Sequence, residues 1–251
     1  MQTIAIIGGT GLTEFNELDI IKYHKQTSDE FSALGLGSPS SDIVEGMLNG
    51  TRLLFLARHG HPHAVPPHKI NYRANLLALQ HLGAQQIIAV NAVGGIHKDA
   101  IAGHISIPDQ IIDYTHGRDS TYFDGEFKPL QHIEFSYPYN EPLRQSLIEV
   151  LRRQNLPNGF SDFGVYGATQ GPRLETIAEI KRLEKDGCDL VGMTGMPEAA
   201  LARELEIPYA SICLVVNPAA GKNSKEIALD EIMAVLASGM EDVKRLIKQV
   251  V

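Results

Sequence analysis

Three stretches of the sequence carry residue types suited to holding an oxyanion. Gly8-Gly9-Thr10-Gly11 follows the apolar run Ile4-Ala5-Ile6-Ile7. A glycine turn there offers backbone N–H groups and a hydroxyl, the donor set that cradles phosphate. The turn is neither a dinucleotide fingerprint nor a P-loop, since Gly-x-Gly-x-x-Gly and Gly-Lys-Ser/Thr are both missing. A plain tight turn is the alternative. Arg58-His59 closes the apolar run Arg52-Leu53-Leu54-Phe55-Leu56. A guanidinium pairs with phosphate in bidentate fashion, and an imidazole adds one more donor. Gly192-Met193-Thr194-Gly195-Met196-Pro197-Glu198 joins an apolar run to a helix opened by proline. That places Thr194 where orphan N–H groups and the helix dipole favour an anion. A capping threonine is the alternative there, with Met193 and Met196 as core filler.

Other polar residues allow more than one reading. His59, His61 and His63 alternate, with His68 beyond, and invite a metal. No carboxylate or cysteine nearby completes a ligand set, so no metal is expected. Strict alternation and the prolines Pro62, Pro66 and Pro67 predict an extended, partly exposed loop. Glu175 follows Gly171-Pro172-Arg173-Leu174 and also suits the first turn of a helix. Asn217 ends an apolar run just before Pro218, where a turn-forming asparagine is common.

These residues need elements to position them. Apolar runs at 4–7, 52–56, 87–90, 164–166, 190–191 and 209–216 predict strands. Helical spacing is read at 71–82 (stopped by Gly83), 140–153, 175–186, from Pro197 onward, and 230–250. Strands and helices alternate without an internal repeat or a linker. The expectation is one α/β domain over residues 1–251, with a mixed, mainly parallel central sheet flanked by helices. Thr10, Arg58, His59, Asn91, Met193, Thr194 and Asn217 all fall just past the carboxyl ends of strands, the rim where open α/β sheets bind ligands.

Bulk composition narrows the function classes. The 251 residues are 43% hydrophobic and 21% charged, with a formal charge of -8 and no basic block. A nucleic-acid binder usually carries a basic face, so none is expected as partner. Apolar runs fall short of the ~20 residues of a membrane span. The N-terminus has no signal-peptide pattern, and Cys188 and Cys213 form no metal or redox spacing. A cytoplasmic protein is the expectation.

Taken in order, six motifs resemble the trimeric purine nucleoside phosphorylase family, nearly end to end. They are Ile6-Ile7-Gly8-Gly9-Thr10-Gly11-Leu12, Arg58-His59-Gly60, Asn71-Tyr72-Arg73-Ala74-Asn75, Asn91-Ala92-Val93-Gly94-Gly95, Gln170-Gly171-Pro172-Arg173, and Met193-Thr194-Gly195-Met196-Pro197-Glu198. The likeness is strongest to the branch acting on 5′-methylthionucleosides. It implies a nucleoside phosphorylase fold, a homotrimer, no cofactor, and inorganic phosphate as co-substrate of a purine nucleoside. It puts phosphate against Thr10, Arg58, His59, Asn91, Ala92 and Thr194, and Met193 under the ribose. Leu174 stands where the family commonly has an aromatic residue facing the base.

Two positions bear on which base. Family members acting on adenosine-type substrates carry aspartates after the last core strand, whereas this chain reads Val216-Asn217-Pro218-Ala219. Asn217 together with Glu175 resembles the 6-oxopurine members. The chemistry agrees, because a 6-oxopurine presents N1–H to a carboxylate and adenine presents a lone pair. Such polar mismatches discriminate by about 10⁴–10⁵. Alignment of residues 227–232 with the family places Leu229 and Ile232 at the 5′ end of the ribose. No histidine follows His132, so the 5′ pocket is expected to be apolar. His132 matches a residue that reaches into a neighbouring subunit's pocket. The implied reaction is phosphorolysis of a 5′-methylthio 6-oxopurine nucleoside, with Asn217, Glu175, Arg58 and His59 as the catalytic set. An inosine/guanosine phosphorylase and a methylthioadenosine phosphorylase are the competing readings within the family; a metallohydrolase on His59, His61 and His63 is the competitor outside it.

Overall fold

A computed structural model describes residues 2–223 and 228–251. Among them the strands are β1 (Thr3–Gly8), β2 (Asp19–His24), β3 (Ile43–Leu48), β4 (Thr51–Ala57), β5 (Gln86–Gly95), β6 (Ile105–Ser106), β7 (Gln110–Asp113), β8 (Phe160–Ser161), β9 (Val165–Ala168), β10 (Leu190–Gly192) and β11 (Tyr209–Pro218). The helices are α1 (Asp29–Ser32), α2 (Tyr72–His81), α3 (Glu141–Leu151), α4 (Ile177–Lys185), α5 (Gly195–Glu204) and α6 (Leu229–Val250). The strands run β2-β3-β4-β1-β5-β10-β9-β7 across one sheet, with β11 beside β5 and β6, and β8 beside β6. Pairings at β1–β4, β1–β5, β5–β11, β9–β10, β7–β9 and β6–β8 are parallel. Those at β2–β3, β3–β4, β5–β10 and β6–β11 are antiparallel. The sheet is therefore mixed and mainly parallel, as the alternation of elements predicts. The antiparallel β2 and β3 had no clear apolar signal; five of the six residues of β2 are exposed.

Side-chain alternation splits the core in two. Ala5 and Ile7 of β1 join Leu54 and Leu56 on one face, covered by Leu76 and Leu79 of α2 and Leu201 of α5. Ile4 and Ile6 join Leu53 and Phe55 on the other, covered by Leu147 of α3 and Leu236, Met240, Val243 and Ile247 of α6. Period-2 strands between helices thus give a three-layer body. Each fully buried aliphatic side chain adds about 1.5–3 kcal/mol, so α6 is held by its inner stripe. No helix among the described residues is long and apolar enough to cross a membrane.

Local rules place the ends of the helices. Asn71 and Asn140 cap α2 and α3 by accepting from Ala74 N and Leu143 N. Thr176 and Glu179 form a capping box on α4. The helix expected from residue 175 therefore starts at Ile177, which leaves Glu175 outside it and available to the loop.

The sheet forks at β5. One edge of this strand carries β11 from Ile87 to Gly95. The other edge carries β1 only as far as Ala89 and β10 only at Gly94 and Gly95. Among the described residues, 90–93 have no strand neighbour on that edge, and a crevice opens there, as at a topological switch point. Across from it, β11 slips register between Val215 and Asn217, a bulge that re-aims Asn217. At the end of β10, Gly192 is required by close approach: a Cβ there would lie 2.1 Å from Tyr166 Oη. Gly192→Ala is expected to destabilise the fold by about 1–3 kcal/mol, read as a lowered urea midpoint. An unchanged midpoint would mean that Tyr166 yields freely.

Candidate active site

The crevice at the fork is a cavity of about 850 Å³, its open mouth included. It gathers residues that are far apart in sequence: Gly9 and Thr10 after β1, Arg58 and His59 after β4, Ala92 to Gly94 at the end of β5, Leu174 and Glu175 before α4, Met193 and Thr194 after β10, Asn217 in β11, and Ile232 and Leu236 from α6. The strand-end pattern read from the sequence thus becomes one rim.

At the phosphate-type end, Arg58 is fully buried. Its Nη1 donates to Val90 O (3.1 Å), Asn91 Oδ1 (2.5 Å) and Thr194 Oγ1 (3.0 Å). Its Nη2 donates to Ile7 O (3.2 Å) and Glu198 Oε1 (3.1 Å), and Nε lies 3.1 Å from Glu198 Oε2. Val90 O is one of the acceptors left without a strand partner on β5. The guanidinium therefore fills the gap in the ladder, and Gly9 leaves room for it: a Cβ there would come within 3.3 Å of Nη1. Glu198 is fully buried and also accepts from Tyr209 Oη at 2.9 Å. Burial pushes its carboxyl up from the usual carboxylate range, while Arg58 and Tyr209 draw it back.

Asn91 differs from the expectation of a phosphate contact. It is 1% exposed and does not line the cavity. Its Oδ1 accepts from Arg58 and from Thr194 Oγ1 (2.8 Å), and its Nδ2 donates to Ser211 Oγ (2.6 Å). With its polar atoms spent on protein partners, Asn91 supports Arg58 and Thr194 from behind. Thr194 makes no side-chain cap, and helical geometry breaks at Met196, so α5 begins in earnest at Pro197.

His59 Nδ1 lies 2.9 Å from Val65 O. A carbonyl only accepts, so Nδ1 carries the hydrogen and Nε2 is the acceptor of a neutral ring. Burial lowers the His59 pKa to about 4, with Arg58 and His63 pushing the same way. The ring stacks on His63 at 4.5 Å. The segment 58–63 is a run of turns, not the extended loop expected, because the ring folds back onto Val65. Among the described residues no group of three His, Cys, Asp or Glu side chains is placed to hold a metal ion.

At the base-type end, Glu175 Oε1 accepts from Thr169 Oγ1 at 2.6 Å. Asn217 Nδ2 donates to Pro218 O at 2.7 Å, which leaves its second N–H and its Oδ1 without a protein partner in this bond. Leu174 lines the cavity while remaining 46% exposed. The apolar wall differs in part from the expectation. Ile232 lines the cavity, but Leu229 is 71% exposed and does not. Leu229 begins α6, and this first turn stands clear of the body; Leu236, one turn beyond Ile232, is in the wall instead. Ile227, in the same segment, lies outside the described residues. His132 is exposed on the irregular stretch before α3 and does not line this cavity.

Two residues support the site without a role that the sequence alone assigns. Glu198 had a signal, an acid beside the apolar run Ala199-Ala200-Leu201-Ala202, since a buried acid needs a partner. Arg118, whose guanidinium donates to main-chain oxygens of the 169–170 and 193–196 loops, had none. The His59 environment also fixes a pH response. A buried, neutral histidine gives stability that is complete above its unfolded pKa near 6.5 and lost as pH falls toward 4. The fall in unfolding free energy between pH 7 and 4 is expected to be smaller in His59→Gln by up to about 3 kcal/mol. Parallel melts of the two proteins across that range check it; equal pH dependence would contradict the assignment.

Comparison with known proteins agrees with this geometry. The pattern of the phosphorylase superfamily matches residues 3–251. A Pseudomonas syringae protein named probable S-methyl-5′-thioinosine phosphorylase is 52% identical over 100% of this chain and 98% of its own. A Pyrococcus furiosus 6-oxopurine nucleoside phosphorylase is 40% identical over 98% of this chain and 91% of its own. Methylthioadenosine phosphorylase from Schistosoma mansoni, solved with adenine, superposes with a TM-score of 0.91 at 29% identity, covering 100% of this chain and 91% of that one. On sequence, fold and the layout of its crevice, the chain belongs to the phosphorylase superfamily.

Proposed function

We propose that the cavity catalyses phosphorolysis of S-methyl-5′-thioinosine, giving hypoxanthine and 5-methylthioribose 1-phosphate. The observation that carries this reading is the presence of Glu175 and Asn217 on the same cavity as Thr10, His59 and Thr194, with Ile232 and Leu236 as its apolar wall. The names carried by relatives at 52% and 40% identity support the 6-oxopurine class.

Phosphate oxygen attacks C1′ as the C1′–N9 bond breaks, and the bonding pair leaves with the purine; the purine anion takes up one proton from solvent to become hypoxanthine, matching the proton that the monohydrogen phosphate gives up as its ester becomes a dianion. The transition state has oxocarbenium character, as in glycoside cleavage, and the phosphate charge beside the sugar stabilises it. Thr10, Ala92 and Thr194 position the anion. Arg58 acts mainly through Thr194, because its own donors are committed to protein acceptors. His59 Nε2 accepts the phosphate O–H, complementing the monohydrogen form. Met193 packs under the ribose. The Asn217 amide donates to N7 as negative charge builds on the base, and the free oxygen of Glu175 accepts N1–H. This is orientation plus preorganised electrostatics.

The same reading makes the enzyme a cytoplasmic homotrimer with His132 reaching a neighbour's pocket. In support, Leu130 and Tyr137, to either side of His132, are 75% and 73% exposed. Light scattering of the purified protein tests the trimer, and a monomer would contradict it.

Base release is measured with inosine, adenosine, 5′-methylthioinosine and 5′-methylthioadenosine, with and without phosphate. Preference for 5′-methylthioinosine by well over tenfold is the expected outcome. Preference for 5′-methylthioadenosine would overturn the base assignment, and preference for inosine the apolar 5′ pocket. Phosphate-independent turnover, or none at all, would reject phosphorolysis. Asn217→Ala is expected to lower kcat by about 10²–10³; near-normal turnover would remove the leaving-group role.

A further inference from the structure

Residues 114–140, between β7 and α3, contain no helix or strand, yet one side chain from this stretch reaches the loops that build the base site. Arg118 Nη1 donates to Met193 O (2.8 Å) and Met196 O (2.6 Å), and Nη2 to Gln170 O (2.8 Å) and Thr169 O (3.2 Å). Its Nε donates to Gln170 Oε1 (3.2 Å), which also takes His116 N (3.1 Å). The guanidinium sits 5.5 Å from the Tyr72 ring centroid, and Nη1 is 3.2 Å from the Tyr72 hydroxyl. Each of these acceptors is a neutral oxygen, so the side chain works as a fork of donors and not as one half of an ion pair.

What it joins is specific. The β9–β10 ladder ends at the pair Ala168 and Gly192, with Thr169 N donating to Gly192 O just beyond. Past that point one chain carries Leu174 and Glu175, the other Met193 and Thr194, and no further strand pairing ties them. Arg118 spans the opening. Thr169 is the residue whose hydroxyl holds Glu175 Oε1 at 2.6 Å, and its carbonyl is one of the Arg118 acceptors. A chain of hydrogen bonds thus runs from Arg118 through Thr169 to the carboxylate.

We propose that Arg118 is a positioning residue for base selection, holding the Glu175 carboxylate at a fixed distance from the Met193-Thr194 loop. The inference rests on the functional reading above and adds to it the device that makes Glu175 discriminate. A carboxylate free to swing can turn away from the lone pair of a 6-aminopurine. A carboxylate fixed by Thr169 cannot, and rejection depends on that rigidity. Misplacement near 1 Å costs about 10²-fold in rate.

The test compares Arg118→Met and Arg118→Lys with the wild type, using phosphate with 5′-methylthioinosine and 5′-methylthioadenosine, and circular dichroism to confirm folding. Arg118→Met is expected to lower kcat/KM for 5′-methylthioinosine by about 10²-fold and to narrow the ratio between the two substrates by about tenfold or more. Lysine keeps charge and stem but not the fork, so Arg118→Lys is expected to narrow the ratio by a smaller factor. A merely structural role lowers both substrates alike. An unchanged ratio in a folded variant therefore overturns the proposal, and Arg118→Lys decides if Arg118→Met does not fold. A wild type that cleaves neither nucleoside overturns the functional reading itself, and this inference with it. A wild type that works while its variants keep its selectivity overturns this inference alone.

Discussion

The Arg58–Glu198 pair is the interaction on which the crevice depends. Both side chains are fully buried, so each would bear a desolvation cost of several kcal/mol if left alone. Their contact, with Tyr209 on the acid and the carbonyls of Ile7 and Val90 on the base, offsets that cost. Removing one partner of such a pair typically costs about 3–5 kcal/mol, because the other is left as an uncompensated buried charge. The pair also has a geometric role. It ties the ends of β1 and β4 to β5, to the loop bearing Thr194 and to α5. The phosphate-type end is thereby fixed before any ligand arrives, at no net charge from this pair.

The sheet supplies the space that the pair then shapes. A strand with neighbours along both edges would leave no crevice. β5 loses one neighbour at Ala89 and gains another only at Gly94. In that interval Arg58 supplies the missing donor to Val90. Across the strand, the bulge at Val216 turns Asn217 without ending the pairing of β11. Fork, guanidinium and bulge are three answers to one constraint: a buried strand must satisfy its backbone even where a ligand needs room.

Much of this was legible in the sequence. Thr10, Arg58, His59, Met193, Thr194 and Asn217 stand directly after apolar runs, and strand ends face the ligand rim by rule. The longer helices followed from caps and spacing, while the four-residue α1 is too short to show a period; Glu175 falls outside α4 because the capping box at Thr176 and Glu179 outranks a first-turn acid. Other parts were hidden for physical reasons. Asn91 looks like a ligand contact by position, and only three-dimensional contacts reveal that its amide is already spent. Leu229 has the right spacing to face inward but lies in the opening turn of α6, before the helix meets the body. Exposed β2 lacks the buried face that makes a strand visible. Arg118 sits in an irregular stretch and donates to neutral oxygens of Thr169, Gln170, Met193, Met196 and Tyr72, so neither periodicity nor charge pattern marks it.

The bond that fixes the His59 ring ends on Val65 O, an atom that every residue type provides. The same holds for the carbonyls that receive Arg118 and Arg58: those of Thr169, Gln170, Met193, Met196, Ile7 and Val90. Side-chain scanning across those positions tests packing and leaves these acceptors in place. The recognition chemistry is therefore underwritten by the path of the main chain. At Ile7, Val65, Val90 and Met196, which enter these bonds through the carbonyl alone, the sequence can drift while the site persists, provided the path is kept and the donors at 58, 59 and 118 and the side chains of Thr169, Thr194 and Glu198 remain.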